Sequence, residues 1–267
     1  MVKGLYTAYT GMINEQKRMD VMTNNLANSA TTGYKKEALV AQAFDERLAI
    51  KIKDTSHWAN RPEGIGYISL GTKVGETYTN WDQGAFQITD KDSDVALGGR
   101  GFFAIAFTNK AGETSVKYTR DGAFTVDSEG YLRTSDGDYV LNSDGALNSD
   151  PSDTNYVQID PNLKYAIAKD GTITQNNEEV DTIGVVDVED YDYINKYGEN
   201  LYDLIDGGTI IESEAIVQQG MLEASNVNVV DEMVSMITIA RAYEAGQKMI
   251  QAEDATLEKT VNQVGSV

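Results

Sequence analysis

The chain has 267 residues, with 22 Lys and Arg against 42 Asp and Glu, a formal charge of −20. That length can bury a full core and suits one large domain or two modest ones, while the charge argues against a phosphate-tracking surface and hence a nucleic-acid partner. The lack of Cys excludes disulfides, thiolate nucleophiles and Cys-ligated metals, and the single histidine, His57, leaves no two-His zinc motif. No stretch approaches the roughly 18 apolar residues of a membrane span, so no membrane insertion is expected. Polar residues from Asn14 to Asp20 interrupt any secretory apolar core at the N-terminus.

Residues 1–53 hold eight basic and five acidic side chains, residues 54–220 hold 11 and 30, and residues 221–267 hold three and seven. Leu5, Met12, Met19 and Leu26 recur every seven residues, with Ala8, Tyr9, Ile13 and Met22 on the same side. This spacing predicts a helix over 3–28. The polar run Asn24-Asn25-Leu26-Ala27-Asn28 and onward to Gly33 ends it, with Gly33 in a positive-φ turn. Residues 37–66 read as a connector without assigned structure, with Pro62, Gly64 and Gly66 near its end.

Residues 67–220 read as an antiparallel β domain. Five Asp-Gly pairs, at 121–122, 136–137, 144–145, 170–171 and 206–207, suggest type I′ hairpin turns. Short β-prone runs lie between them, at 102–107, 123–126, 131–134, 139–142, 165–168 and 182–188, and a second connector is expected at 142–161. Over 221–267 the seven-residue repeat returns as Met236, Tyr243, Ile250, Leu257 and Val264, widened by Met233, Ala240 and Val261. Asn228 suits the N-cap of a helix over about 229–263, and Gly265 its stop. Glu253 falls outside the main seam. The fold class is therefore α+β: a central antiparallel β domain flanked by N- and C-terminal helices that pair as a coiled coil.

No constellation favours catalysis. Asp90-Lys91-Asp92-Ser93-Asp94 alternates like a calcium loop, but Val95 and Gly101 stand where Gly and Glu are needed. Gly99-Arg100-Gly101-Phe102-Phe103-Ala104 matches a loose dinucleotide pattern, yet it runs into a strand rather than a helix. The acidic run Asp187–Asp192 reads as a solvated face, and His57 beside Trp58 as a loop contact. No cofactor is implied, and the residues alone indicate a non-enzymatic assembly protein.

Asn24-Asn25-Leu26-Ala27-Asn28 followed by Thr31-Thr32-Gly33-Tyr34-Lys35 resembles the N-terminal signature of bacterial flagellar rod and hook proteins. Ser225-Asn226-Val227-Asn228-Val229, Glu232-Met233-Val234 and Arg241-Ala242-Tyr243-Glu244 resemble their C-terminal signature. Gly101-Phe102-Phe103 and Tyr118–Phe124 resemble the central β segment. These matches occur in order along nearly the whole chain and are most similar to the rod proteins, the distal-rod type first; Ala30 and Gly246 depart from the pattern. The resemblance implies a structural subunit of the basal-body rod, exported by the flagellar type III apparatus without a cleaved signal. It implies self-association into a helical tube and contact with other rod and hook subunits, with the seams and the signature positions Asn24, Asn25, Leu26, Asn28, Gly33, Tyr34, Asn226, Asn228 and Arg241 serving assembly. The alternatives are a hook-type axial protein, an acidic β-domain glycan hydrolase and a coiled-coil adhesin.

Overall fold

A computed structural model describes residues 2–51, 63–198 and 200–264. Helix α1 (Val2–Ala27) precedes strands β1 (Glu37–Ala43), β2 (Arg47–Lys51), β3 (Glu63–Ile68) and β4 (Thr72–Thr79). Next come β5 (Phe86–Ile88), β6 (Val95–Gly98), β7 (Phe102–Thr108), β8 (Thr114–Thr119), β9 (Thr125–Val126), β10 (Leu132–Arg133) and β11 (Tyr139–Val140). A short helix α2 (Ser143–Asn148) leads to β12 (Tyr165–Ile167), β13 (Thr172–Gln175), β14 (Glu178–Thr182) and β15 (Val185–Val188). Strands β16 (Ile194–Gly198), β17 (Leu201–Leu204), β18 (Ile210–Glu212), β19 (Ile216–Gln219) and β20 (Met221–Glu223) follow, and α3 (Val229–Lys259) runs into a π-helical turn at Thr260–Val264. The chain is thus α+β. His57, Trp58, Pro62 and Gly265 lie outside the described residues.

The chain divides into two compact units. One is assembled from residues 1–27, 36–80 and 228–267; the other from 28–35 and 81–227. In the first unit α1 and α3 lie alongside each other, and α1 also packs against β1 and β4. Strands β1–β4 form a two-stranded ribbon, β1 pairing antiparallel with β4 and β2 with β3. Most of the described residues of the stretch read as an unassigned connector, 37–66, are therefore strand.

In the second unit, seven strands run in the order β16-β17-β8-β7-β11-β10-β9, with β15 also paired to β7 and β18 to β15. Strand β7 is buried on both faces, and its alternation sorts the core in two. Phe103 and Ile105 join Val95, Leu97, Phe124 and Leu132 on one side. Phe102, Ala104 and Ala106 join Tyr118, Leu141, Val186 and Tyr202 on the other. A continuous apolar run is what a doubly covered strand requires.

The hairpin turns differ from the expectation. Gly137, Gly171 and Gly207 have positive φ, but their aspartates do not, so these are not type I′ turns. Asp144-Gly145 lies inside α2, which occupies part of the expected connector at 142–161. Two successive left-handed residues occur at Asn176-Asn177, φ 54° and 67°, between β13 and β14. The short Asn side chain tolerates that conformation through local hydrogen bonding.

Candidate assembly interface

Helix α3 begins at a side-chain cap. Asn228 is the N-cap, its side chain accepting from the Val230 N–H at 3.1 Å, and Asp231 and Glu232 in the first turn suit the helix dipole. Along the helix the covered positions include Glu232, Met236, Ile239, Tyr243, Gly246, Ile250, Glu253 and Leu257, alternating by four and three. The expected row Met236, Tyr243, Ile250 and Leu257 is half of this seam. The other half is Glu232, Ile239, Gly246 and Glu253, where Met233 and Val261 had been expected to extend the stripe; those two are exposed. Ala240 is half-buried, and the side chain of Val264 lies outside what is described.

On α1, Leu5, Met12, Met19 and Leu26 are half-buried together with Ala8, Glu15 and Met22, whereas Tyr9 and Ile13 face outward, contrary to the expectation. Two contacts set the direction. A Cβ on Gly246 would lie 2.6 Å from Met12 Cγ, and a Cβ on Gly4 would collide with the Glu253 carboxylate. The helices therefore run antiparallel, and Glu253 lies within the seam, not outside it. Gly246 thus sits at a close helix approach.

A further face of α1 carries Thr10, Asn14 and Asn25, all buried. The Thr7 hydroxyl reaches the Leu70 carbonyl at 3.1 Å. Asn25 exchanges two hydrogen bonds with the backbone of Glu37, donating from Nδ2 to its carbonyl (2.8 Å) and accepting its N–H (3.0 Å). Its amide thus acts like a strand residue and fastens the first residue of the ribbon to the end of the helix. Lys36 forms an ion pair with the buried Glu232.

Each helix keeps a second apolar stripe in the open. On α3 these are Val230, Met233, Val234 and Ile237, between 49 and 68 % exposed. Their i, i+3, i+4, i+7 spacing puts them on one face. On α1, Tyr6, Tyr9 and Ile13 are similarly exposed, and the ribbon carries Leu48, Ile50, Ile65 and Tyr67 exposed. The α3 spacing was legible in the sequence, but the seven-residue row drew Met233 into the wrong face. Arg241 is exposed on α3.

In the second unit, the loop at 31–35 is built into the β structure. Gly33, φ 66°, is buried, and a Cβ there would lie 2.5 Å from the backbone of Arg120 and Asp121. The Gly33 N–H donates to the Glu223 carbonyl at 2.7 Å, and the Thr32 hydroxyl to Asp121 Oδ1 at 2.7 Å. Tyr34 is buried with Lys196 Nζ 4.2 Å from its ring centre. Lys35 Nζ donates to Glu223 Oε1 (2.6 Å) and the Asp82 carbonyl (2.9 Å). Arg120 Nη1 reaches Glu223 Oε2 at 3.3 Å. All three charged side chains are buried. Burial pulls the Lys35 pKa below the usual lysine value, opposed by the neighbouring Glu223 carboxylate. Burial also raises the Asp121 carboxyl, opposed by its bonds from Thr32 and the Ala123 N–H. Asn226 donates from Nδ2 to the Asp82 carbonyl at 3.0 Å. Asn28 accepts the Thr31 N–H at 3.2 Å, and Asn24 is exposed. The sequence marks Glu223 only as an isolated acid after Met221-Leu222.

Comparison with known proteins finds three family matches along the chain. Residues 5–35 match the family described as flagella basal body rod protein, and residues 96–175 the D1 domain of flagellar hook protein FlgE/F/G. Residues 218–264 match the C-terminal part of flagellar basal body rod FlgEFG protein. The flagellar basal-body rod protein FlgF of Caulobacter vibrioides is 32% identical, with 100% of each chain covered. The rod protein FlgG of Bacillus subtilis is 32% identical over 98% of this chain and 99% of its own. The corresponding FlgG of Borreliella burgdorferi is 32% identical over 96% and 97%. Full-length agreement at this level, with matches at both terminal segments and the β unit, has one consequence: the chain belongs to the flagellar basal-body rod protein family.

Proposed function

We propose that the chain is a structural subunit of the flagellar basal-body rod that polymerises through the outward faces of its terminal helices. Within the chain, α1 and α3 pair as an antiparallel coiled coil along the four-three seam of α3. The seam is thereby occupied, so contacts between copies fall to the stripes it leaves open. The observation that carries this reading is the stripe Val230, Met233, Val234 and Ile237 on the face away from the seam. Completing the burial of four half-exposed side chains is worth about 3–6 kcal/mol per contact. A face that meets a different face on the next copy builds an open helical array rather than a closed ring.

The units divide the electrostatic roles. The unit that holds the helices has 12 basic and 14 acidic residues, so copies can approach there without strong repulsion; the β unit has 10 and 28. Asn24, Asn25, Leu26, Asn28, Gly33, Tyr34, Asn226 and Asn228 serve assembly by holding the helices and the β unit in the form that presents these stripes. Other rod and hook subunits and the flagellar type III export apparatus are the remaining partners. The family is structural, and no catalytic step is assigned.

The test is Ile237→Asp in the full-length chain, expressed in place of the wild type in a flagellated cell. Burying an unpaired carboxylate in an apolar contact costs several kcal/mol. Because Ile237 is exposed in the single chain, its melting temperature should change little while rods fail to complete. Complete rods and normal motility would overturn the reading.

A further inference from the structure

The β unit holds a groove of about 370 Å³ whose walls include Trp81, Gln83, Arg100, Arg120 and Tyr191. Trp81 stacks on Tyr191 with ring centres 5.2 Å apart, and the Arg100 guanidinium carbon lies 4.5 Å from the centre of the Tyr191 ring. The Tyr191 hydroxyl donates to Asp187 Oδ1 at 2.8 Å and accepts from Arg100 Nε at 3.3 Å. Arg100 is thus held through its Nε edge and its flat face. Its two Nη groups have no hydrogen-bond partner among the described residues, and the side chain is 64% exposed. A planar guanidinium fixed in this way presents two parallel donors suited to a carboxylate. Gln83 keeps the adjoining wall in place, donating to the Leu97 carbonyl (2.5 Å) and accepting from the Gly99 N–H (3.1 Å).

We infer that this groove receives a carboxylate side chain from the β unit of a second copy, the Arg100 fork binding the carboxylate beside the Trp81–Tyr191 stack. Charge complementarity selects this occupant. With 28 acidic and 10 basic residues in each β unit, most approaches between two copies place acid against acid. The Nε side of Arg100 lies 3.7 Å from Asp187 Oδ2, and its open Nη edge converts one such approach into an attraction. Tryptophan, tyrosine and arginine are also the residues most often dominant in protein contacts. The inference rests on the self-association proposed above and adds a contact separate from the helix stripes.

The experiment uses full-length chains in assembled basal bodies. Asp192, exposed and next to Tyr191 in the chain, is replaced by p-benzoylphenylalanine, which leaves the Tyr191 ring and hydroxyl in place, and irradiated samples are digested and mapped by mass spectrometry. The expected result is a cross-link to an Asp- or Glu-bearing peptide of a second copy. Combining the probe with Arg100→Glu should lower that yield at least about tenfold at low salt, with a smaller loss for Arg100→Lys and a narrower gap at about 1 M salt. Unchanged melting of each variant shows that the fold is retained. Cross-links confined within one chain, cross-links only to a different protein, or a yield indifferent to Arg100→Glu overturns the groove contact and leaves the helix-driven rod intact. Failure of the wild-type chain to enter basal bodies overturns both.

Discussion

Replacing Gly33 with alanine adds a single methyl group at a close backbone approach in the β unit. Three costs follow from its surroundings. A left-handed φ of 66° costs an L-residue about 1–2 kcal/mol. The new Cβ would stand 2.5 Å from Arg120 C and Asp121 N and 2.6 Å from Arg120 O, all main-chain atoms that cannot rotate away. Relieving such overpacking typically costs about 1–3 kcal/mol. Moving the loop outward also stretches the 2.7 Å bond from the Gly33 N–H to the Glu223 carbonyl, worth about 1 kcal/mol. The total is about 3–6 kcal/mol, which for a unit of this size lowers the melting temperature by about 6 °C or more. Circular dichroism melts of Gly33→Ala and wild type supply the comparison. Gly33→Asn separates the causes: asparagine accepts the left-handed conformation yet carries the same Cβ, so it should remain nearly as damaging. Gly11→Ala is the control, since nothing lies within 4 Å of a Cβ there and the helix should gain about 0.5–1 kcal/mol. A Gly33→Ala chain melting within 2 °C of wild type, a threshold of roughly 1 kcal/mol or less, would refute the close-approach argument.

Two further changes probe other parts of the molecule. Gly246→Leu drives side-chain volume against Met12 and should cost about 1–3 kcal/mol, read as faster proteolysis within α1 and α3, while Gly246→Ala should be nearer neutral because its helix propensity offsets the crowding. Asp121 has a carboxyl pKa raised in the folded chain, so the native state holds the proton more tightly than the unfolded chain and this group's contribution to stability falls as pH rises from the unfolded value of 3.8 through the folded one. Asp121→Asn keeps the acceptor for Thr32 and Ala123 but removes that titration; its stability relative to wild type should improve as pH rises through this window, as urea melts across pH can measure, and a difference that shrinks with rising pH would contradict the assignment.

The helix limits were legible because both helices have strong periodicity and definite ends: the expected 3–28 and 229–263 stand as Val2–Ala27 and Val229–Lys259 with a terminal π turn. Strand β7 was legible as an apolar run of strand length. The second half of the α3 seam was not, because Glu232, Gly246 and Glu253 are not apolar; Glu232 is buried beside Lys36, and Gly246 is there to be small. The ribbon formed by β1–β4 also escaped notice. Its partners are separated in sequence, and Leu48, Ile50, Ile65 and Tyr67 remain exposed, so no alternation of buried and open residues marks it. Gly33 was recognisable as a positive-φ position, but its approach to Arg120 and Asp121 is a tertiary fact. The same holds for the joining of Lys35, Arg120 and Glu223 across 188 residues of chain.

The helical unit is made from the beginning, an early internal stretch and the end of the chain. Gly4 meets Glu253, so the pairing of α1 is completed by residues that are synthesised about 250 positions later. The β unit, by contrast, has all its residues once Val227 is made. Chain closure over such a span is slow compared with local pairing, and domains fold as units when their segments are present. A ribosome that stops short of α3 therefore releases a product with an intact β unit and an unpaired α1, lacking the stripe at Val230–Ile237. In the rod assembly proposed above, competence to join the polymer thereby waits on the synthesis of α3, and a truncated product is kept from adding to a growing end.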